Sequence, residues 1–338
     1  MIGVGIIGIG AIGRLHFDCW KKSPQARVVA IASRDARKRA GDWAGGEFNL
    51  GAQAEAQVDL SGIAAYAEAA ELLADPQVQI VDICSATPLH APLAIAALRA
   101  GKHVVCEKPM ALTAAECAAV EAAARESGGQ LMVAHCLRYW PHYVKAQELL
   151  VGGELGRPLY AQLHRSGGVP AWSAGGWLMQ PEESGGVLDL HIHDIDVALW
   201  WFGEPAQMET TGYSRDGLPL IMDSTWRYPG GLCVQLHGAW DPNGGMFRHA
   251  FRLVLEKGTL VYDLATAPDS LQLFQNGTAT EVPLEKADAH QAELDDFAAA
   301  IAEGKAFARF TPAESRRAVE AGLREWQQLR EMELGRPF

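Results

Sequence analysis

The junction that most constrains this chain lies at its start, where an apolar run leads directly into Gly8-Ile9-Gly10-Ala11-Ile12-Gly13. Residues 2–9 are apolar and short, which suits a fully buried strand. A helical pattern follows through Trp20. In a strand–turn–helix setting the three glycines have separate tasks. Gly8 permits the tight turn, Gly10 lets backbone approach a pyrophosphate, and Gly13 lets the helix pack closely on the strand. The helix N-terminus then offers free N–H groups and the positive end of its dipole to an anion. Gly8, Gly10, Ala11, Ile12 and Gly13 are therefore candidate dinucleotide contacts.

The same alternation continues. A second apolar run, 27–32, ends at Ser33-Arg34, and a third, 78–84, ends at Ser85-Ala86-Thr87-Pro88. A helix with Leu93, Ala97 and Leu98 on one face stops at Gly101. A fourth strand, 103–106, meets Glu107-Lys108-Pro109. Thr113 and Glu116 form a capping box for a helix that ends at Gly128-Gly129, and a fifth strand follows at 131–134. Five short apolar strands alternating with helices predict an α/β domain with a parallel sheet over residues 1–137. Residues 45–61 read as a loop insertion.

From Pro158 onward the pattern changes to short alternating strands, read at 159–164, 208–213, 224–228, 232–240, 250–256 and 260–264. Their connections are mostly too short for helices, which predicts an antiparallel sheet. Helices follow at 291–303 and from Thr311 as N-cap, with Pro312 and Glu314 in the first turn. Residues 138–338 thus form a second, α+β domain.

Composition narrows the functional classes. Hydrophobic residues make up 49% of the 338 positions, enough for two cores, and 29 basic against 41 acidic residues give a net charge of −12. That balance disfavours nucleic acid and anionic membranes as partners. No apolar run approaches the roughly 20 residues of a membrane span. The start lacks a basic leader region and a cleavage site, so a cytoplasmic protein is expected. The six cysteines form no C-x-x-C pair, which predicts free thiols, no disulfide framework and no structural metal.

Chemistry concentrates at the strand ends. At the second strand, Ser33 and Arg34 precede Asp35; an Arg there suits the 2′-phosphate of NADP and an acid suits the ribose of NAD. NADP(H) is the preferred expectation, with NAD(H) possible. Lys108 ends the fourth strand, where ligands of parallel sheets bind, and would point at the nicotinamide. Asp189 and His193, four apart, would share a helix face, with the carboxylate orienting an imidazole able to move a proton. Arg138 and Tyr139, just after the fifth strand, are candidates for substrate hydroxyls or a carboxylate. Trp172 or Trp177, the latter preferred, is a candidate to stack on a substrate ring.

These motifs, with Ala100-Gly101-Lys102-His103 leading into Glu107-Lys108-Pro109, Gly152-Gly153-Glu154-Leu155-Gly156, His193-Asp194-Ile195-Asp196 and Glu256-Lys257-Gly258-Thr259 in this order, mark a resemblance. Nearly the whole chain resembles the glucose–fructose oxidoreductase, inositol dehydrogenase and MocA family (Gfo/Idh/MocA). The resemblance implies a Rossmann domain followed by a domain with a large, open, mostly antiparallel sheet used for substrate binding and oligomerisation. It implies NAD(P)-dependent oxidation or reduction of a sugar, polyol or sugar acid, and a homodimer or homotetramer. It carries Lys108 over as the catalytic lysine, with Asp189 and His193 as its partners. It also places Ser85, Thr87, His90 and Glu107 with Lys108 on the cofactor side. The chain departs from the family in three places. Ser85-Ala86 stands where Thr-Pro is frequent, two glycines precede Asp189 where three are common, and His191 stands where Gly is usual. The last brings an extra imidazole towards the substrate.

Two other readings use the same residues. His191-Ile192-His193 resembles the HxH metal pair of amidohydrolases, with Asp189, Asp194 and Asp196 nearby, and would make the chain a metal-dependent hydrolase. A dinucleotide-binding regulator without chemistry would need the glycine motif alone. In the dehydrogenase reading, closure of a cleft between the domains would bring Lys108 and His193 to one substrate hydroxyl.

Overall fold

The structure is a computed structural model that describes residues 1–43, 56–169, 176–180 and 185–334. In chain order the elements begin β1 Ile2–Ile7, α1 Ala11–Trp20, β2 Ala26–Ala32, α2 Ala36–Arg39, β3 Ala64–Tyr66, α3 Ala69–Ala74, β4 Ile80–Ile83 and α4 His90–Arg99. They continue β5 His103–Glu107, α5 Ala114–Ser127, β6 Leu131–Ala134, α6 Pro141–Gly152, β7 Pro158–Gly168 and α7 Leu188–Phe202. The remainder are β8 Gln207–Arg215, β9 Leu218–Arg227, β10 Cys233–Asp241, β11 Arg248–Leu255, β12 Gly258–Asp263, β13 Ala267–Gln275, β14 Thr278–Glu281, α8 Ala289–Ala302 and α9 Pro312–Leu334. The chain forms two compact units, Met1–Cys136 with Asp288–Val319, and Leu137–Ala287 with Glu320–Phe338.

The first unit is built on a sheet in the order β3-β2-β1-β4-β5-β6, with every pair parallel. The strands are apolar without alternation because both faces are covered; β1, β4 and β6 are buried along their whole length. The capping box forms as read. Glu116 N–H donates to Thr113 Oγ1 at 3.2 Å, Thr113 N–H donates to the Glu116 carboxylate at 3.1 Å, and Gly128 ends α5 at φ +71°. The sheet has one strand more than the five read from the sequence: β3 is three residues, two of them Ala, too short and too weakly apolar to stand out. The sequence reading also assigned all of 138–338 to the second domain. Instead α8 returns to the first unit and packs on α1, capped by Asp288, which accepts from His290 and Gln291 N–H.

The second unit has an eight-stranded sheet in the order β14-β13-β12-β11-β7-β10-β9-β8. It is antiparallel except where β7 and β10 run parallel, with Leu163 beside Leu236 and His164 beside His237. Helix α7 lies on β10 and β7. A core of Leu178, Val187, Leu190, Leu218, Leu220, Met222, Trp240 and Leu329 is buried here. Strand β9 begins earlier than read because Pro219 obscured its start, and Pro268 likewise hid β13. Strand β14 is exposed throughout and carries no burial pattern.

Burial alternates along β7 and the first part of β10, with Arg165 a charged residue on the buried side. The outward side carries Gln162, His164, Gln235 and His237, with the His164 and His237 rings stacked at 4.6 Å and His237 Nδ1 2.7 Å from Asp223 Oδ1. All six cysteines are free. Among the described residues no helix is long and apolar enough to cross a membrane. The loop read at 45–61 and Trp172 fall wholly or largely outside the described residues.

Candidate active site

The glycine turn has the form its sequence requires. Gly8 sits at φ +94°, and a Cβ there would lie 2.7 Å from the Cys84 carbonyl oxygen. A Cβ on Gly13 would lie 2.0 Å from the Gly8 carbonyl oxygen, so α1 rests directly on the turn. At Gly10, the N-cap, a Cβ would meet nothing within 4 Å. No side chain caps α1, and no acidic residue occupies its first turn, which Ala11 and Ile12 open. Unsatisfied helix N–H groups facing open space fit a pyrophosphate.

At the end of β2 the charges are sorted. Asp35 caps α2, accepting from Arg37 N–H at 2.9 Å and pairing with the Arg37 guanidinium at 3.0 Å. These hydrogen bonds hold its carboxyl below the usual range. Arg39 donates to the Ser33 and Arg34 carbonyls at 2.7 and 3.0 Å, and the Lys38 amine donates to the Ile9 carbonyl in the glycine turn. Ser33 Oγ accepts from Asp35 N–H at 3.3 Å. Arg34 is exposed, and its guanidinium has no partner among the described residues.

The loops after β4 and β5 meet at one imidazole. His90 is buried, with Nδ1 2.7 Å from the Pro109 carbonyl and Nε2 2.9 Å from the Ser85 carbonyl. Burial lowers its pKa, opposed by the two carbonyl contacts, which raise it. His90 is thus corrected from cofactor contact to a clamp between the Ser85 loop and the Lys108-Pro109 turn, which contains a cis peptide bond. Ser85 Oγ and Thr87 Oγ1 are buried and have no hydrogen-bond partner among the described residues. Such orphaned hydroxyls fit a polar ligand at this loop. Glu107 also changes role. Its carboxylate turns into the unit, with Oε1 3.1 Å from His16 Nε2 and Oε2 accepting from Lys108 N–H at 3.2 Å. Lys108 itself is half-buried at the strand end.

In the second unit α7 is buried nearly all round, and Asp189 and His193 are its half-buried residues in the first two turns. Three buried polar residues of the same helix each find a partner on a different element. His191 Nε2 lies 3.0 Å from Glu325 Oε2, and Trp226 Nε1–H donates to Glu325 Oε1 at 2.6 Å. Asp194 accepts from Arg165 at 2.9 Å, and Asp196 accepts a two-pronged bond from Arg138 at 2.9 and 2.8 Å. These pairs fix the rotation of α7 and so the face that carries Asp189 and His193.

The geometry withdraws two substrate candidates. His191 is 0% exposed and Arg138 2%, each committed to a buried carboxylate. It also removes the hydrolase reading: His191 and His193 are two residues apart on a helix, about 200° around its axis, one buried and one half-exposed. Tyr139 is buried, and Trp177 lies in the short helix Trp177–Met179. The sequence reading missed His16, Asp82, Glu325 and the roles of Asp194 and Asp196. For Asp82 the only local signal was a polar residue inside an otherwise apolar stretch.

Comparison with known proteins agrees with this layout. Residues 2–135 match the family model described as an oxidoreductase family with an NAD-binding Rossmann fold, and residues 143–261 match the GFO/IDH/MocA C-terminal domain. The chain is 29% identical over 240 residues to a 1,5-anhydro-D-fructose reductase of Ensifer adhaerens, covering 68% of this chain and 72% of that one. It is 32% identical over 206 residues to an inositol 2-dehydrogenase of Rubrobacter xylanophilus, covering 60% of this chain and 53% of that one. The matched stretches thus span about half to three quarters of these relatives. In fold it is similar to a levoglucosan dehydrogenase solved with NADH and levoglucosan, with a TM-score of 0.82, 22% identity and coverage of 98% and 97%.

Proposed function

The chain belongs to the Gfo/Idh/MocA oxidoreductase family, and from that premise we propose that it interconverts a secondary hydroxyl and carbonyl on a sugar, an inositol-like polyol or a sugar acid. The observation that carries this reading is the placement of Lys108 at the end of β5, in the same parallel sheet whose first turn leaves an uncapped helix N-terminus. The residues that would hold NAD(P) are the Gly8–Gly13 turn, Ser33, Arg34, Ser85 and Thr87. Bound nicotinamide supplies the hydride acceptor or donor.

The chain's own residues handle the proton. His193 removes it from the substrate hydroxyl during oxidation and returns it during reduction. Lys108 donates a charge-assisted hydrogen bond to the oxygen as it gains charge. Asp189, one helical turn before His193, orients the imidazole. Trp177 is the aromatic assigned to the sugar ring and Tyr139 a further substrate residue, both from sequence position. Arg34 makes NADP(H) the preferred cofactor, since Asp35 is occupied by Arg37 and the Arg34 guanidinium has no partner among the described residues.

A screen of sugars, inositols and sugar acids with each cofactor tests the reading. Turnover of at least one such substrate is expected; cofactor binding with no turnover across the panel would make the chain a regulator instead. A homodimer or homotetramer belongs to the same proposal and rests on family membership. Light scattering tests it, and a stable monomer overturns that part.

A further inference from the structure

Beneath the cofactor turns of the first unit lies a buried charged cluster that the proposed chemistry does not use. His16, in the second turn of α1, is 0% exposed. Its Nδ1 lies 3.1 and 3.0 Å from the two oxygens of Asp82 on β4, and its Nε2 lies 3.1 Å from Glu107 Oε1 at the end of β5. Trp20 Nε1–H donates to Asp82 Oδ2 at 2.6 Å, and the Cys84 thiol donates to Asp82 Oδ1 at 3.4 Å. Asp82 is hydrogen-bonded to Nδ1 on one side and Glu107 lies at ion-pair distance from Nε2 on the other, an arrangement that favours the imidazolium. The other titratable groups coupled to this cluster include Cys19, Cys106, Lys108, Asp288, His290 and Glu293. Glu293 is fully buried, and burial raises its pKa well above the carboxylate range, so it is held neutral.

The three elements that His16 joins are those bearing the cofactor-side turns. Helix α1 starts at the glycine turn, β4 leads into the Ser85 loop, and β5 ends in Lys108. Glu107 divides its oxygens between His16 and the backbone N–H of Lys108. We propose that His16 is a positioning residue for Lys108: its ring holds Glu107, and Glu107 sets where the lysine leaves the sheet. The inference rests on the proposed role of Lys108 in catalysis.

The test uses the full chain in two forms, His16→Phe, which keeps the ring's bulk without its donors, and Glu107→Gln, which removes the charge that faces His16. The first readout needs no activity. It is the acylation rate of Lys108 relative to the other lysines, followed by peptide mass spectrometry. A change of at least threefold is expected in each folded variant. Smaller changes overturn the proposal, and if His16→Phe does not fold, Glu107→Gln decides alone.

The second readout is kinetic. Turnover is expected to fall at least tenfold while NAD(P)H affinity stays within threefold, and the double variant is expected to lose no more than the worse single one. A matching loss of cofactor affinity, or additive losses, overturns the proposal by placing His16 elsewhere in the argument. If the unmodified protein turns over no sugar or polyol, the functional reading fails, while the acylation rate still decides whether His16 positions Lys108.

Discussion

The imidazole of His191 fills the space that a side chain on Gly238 would need: a Cβ at position 238 would lie 2.6 Å from His191 Nδ1. The family resembled usually has Gly at 191, and here the glycine faces it instead, on β10. The ring's other nitrogen meets Glu325 from α9. A histidine that looked in sequence like an addition to the substrate site is a packing element of the second unit.

Gly238→Ala is expected to destabilise the protein by about 1–3 kcal/mol, the usual cost of overpacking. Adding His191→Gly to that variant removes the clash, so the double variant is expected to lose less than the sum of the two single losses. Urea unfolding of the four proteins measures both terms. Strictly additive losses would show that the two residues do not share the space.

The His191–Glu325 pair also has a pH signature. Burial opposes the charged ring, but Glu325 prevails and the pKa of His191 is raised above its ordinary 6.5. A raised value in the folded state stabilises fully below the unfolded value and is lost as pH rises through the folded one. Glu325→Gln is therefore expected to cost most near and below pH 6.5, with the difference from the unmodified protein narrowing as the solution becomes alkaline. Denaturant midpoints across this window measure it, and a difference that grows with pH contradicts the pairing.

Asp196 and Arg138 form an almost fully buried pair, with side chains 1% and 3% exposed. Asp196→Ala strands the guanidinium without its carboxylate and is expected to cost about 3–5 kcal/mol. Replacing both partners with apolar residues of similar volume is expected to cost much less, because no charge is left buried. Thermal and urea melts distinguish the two. Equal losses would mean that the pair contributes through shape and not through charge.

For catalysis, His193→Ala is expected to lower turnover by about 10²–10⁴-fold, the usual contribution of general acid–base help, with cofactor affinity within threefold. Lys108→Ala is expected to do at least as much harm, since it removes both a charge and a hydrogen bond. Steady-state kinetics with calorimetric cofactor titration tests both. Near-normal turnover in either variant would remove that residue from the reaction.

Arg34→Ala is expected to weaken NADP(H) binding by about tenfold or more, in line with about 1.5–3 kcal/mol for a hydrogen bond to a charged group, and to leave NAD(H) nearly unchanged. Calorimetric titration of both cofactors measures the ratio. Equal effects on both would place Arg34 away from the 2′-phosphate, and tighter NAD(H) binding by the unmodified protein would refute the preference itself.

What the sequence by itself determined is local. The apolar run, the three glycines and the helix after them specify one turn, because only glycine tolerates φ +94° at Gly8 and the close approach at Gly13. Thr113 with Glu116, and Thr311 with Glu314, start helices because cap and partner are three residues apart. Asp189 and His193 share a face because they are four apart on a helix. Tertiary structure decided the rest. Arg138 meets Asp196 across 58 positions, Arg165 meets Asp194 across 29, and His16 meets Asp82 across 66. No local pattern chooses among the chain's many carboxylates and cations, because such pairs form only once strands and helices have packed and made an unpaired buried charge too costly to keep. That is why Arg138, His191, His90 and Glu107 read as ligand contacts in the sequence and serve as internal struts in the fold.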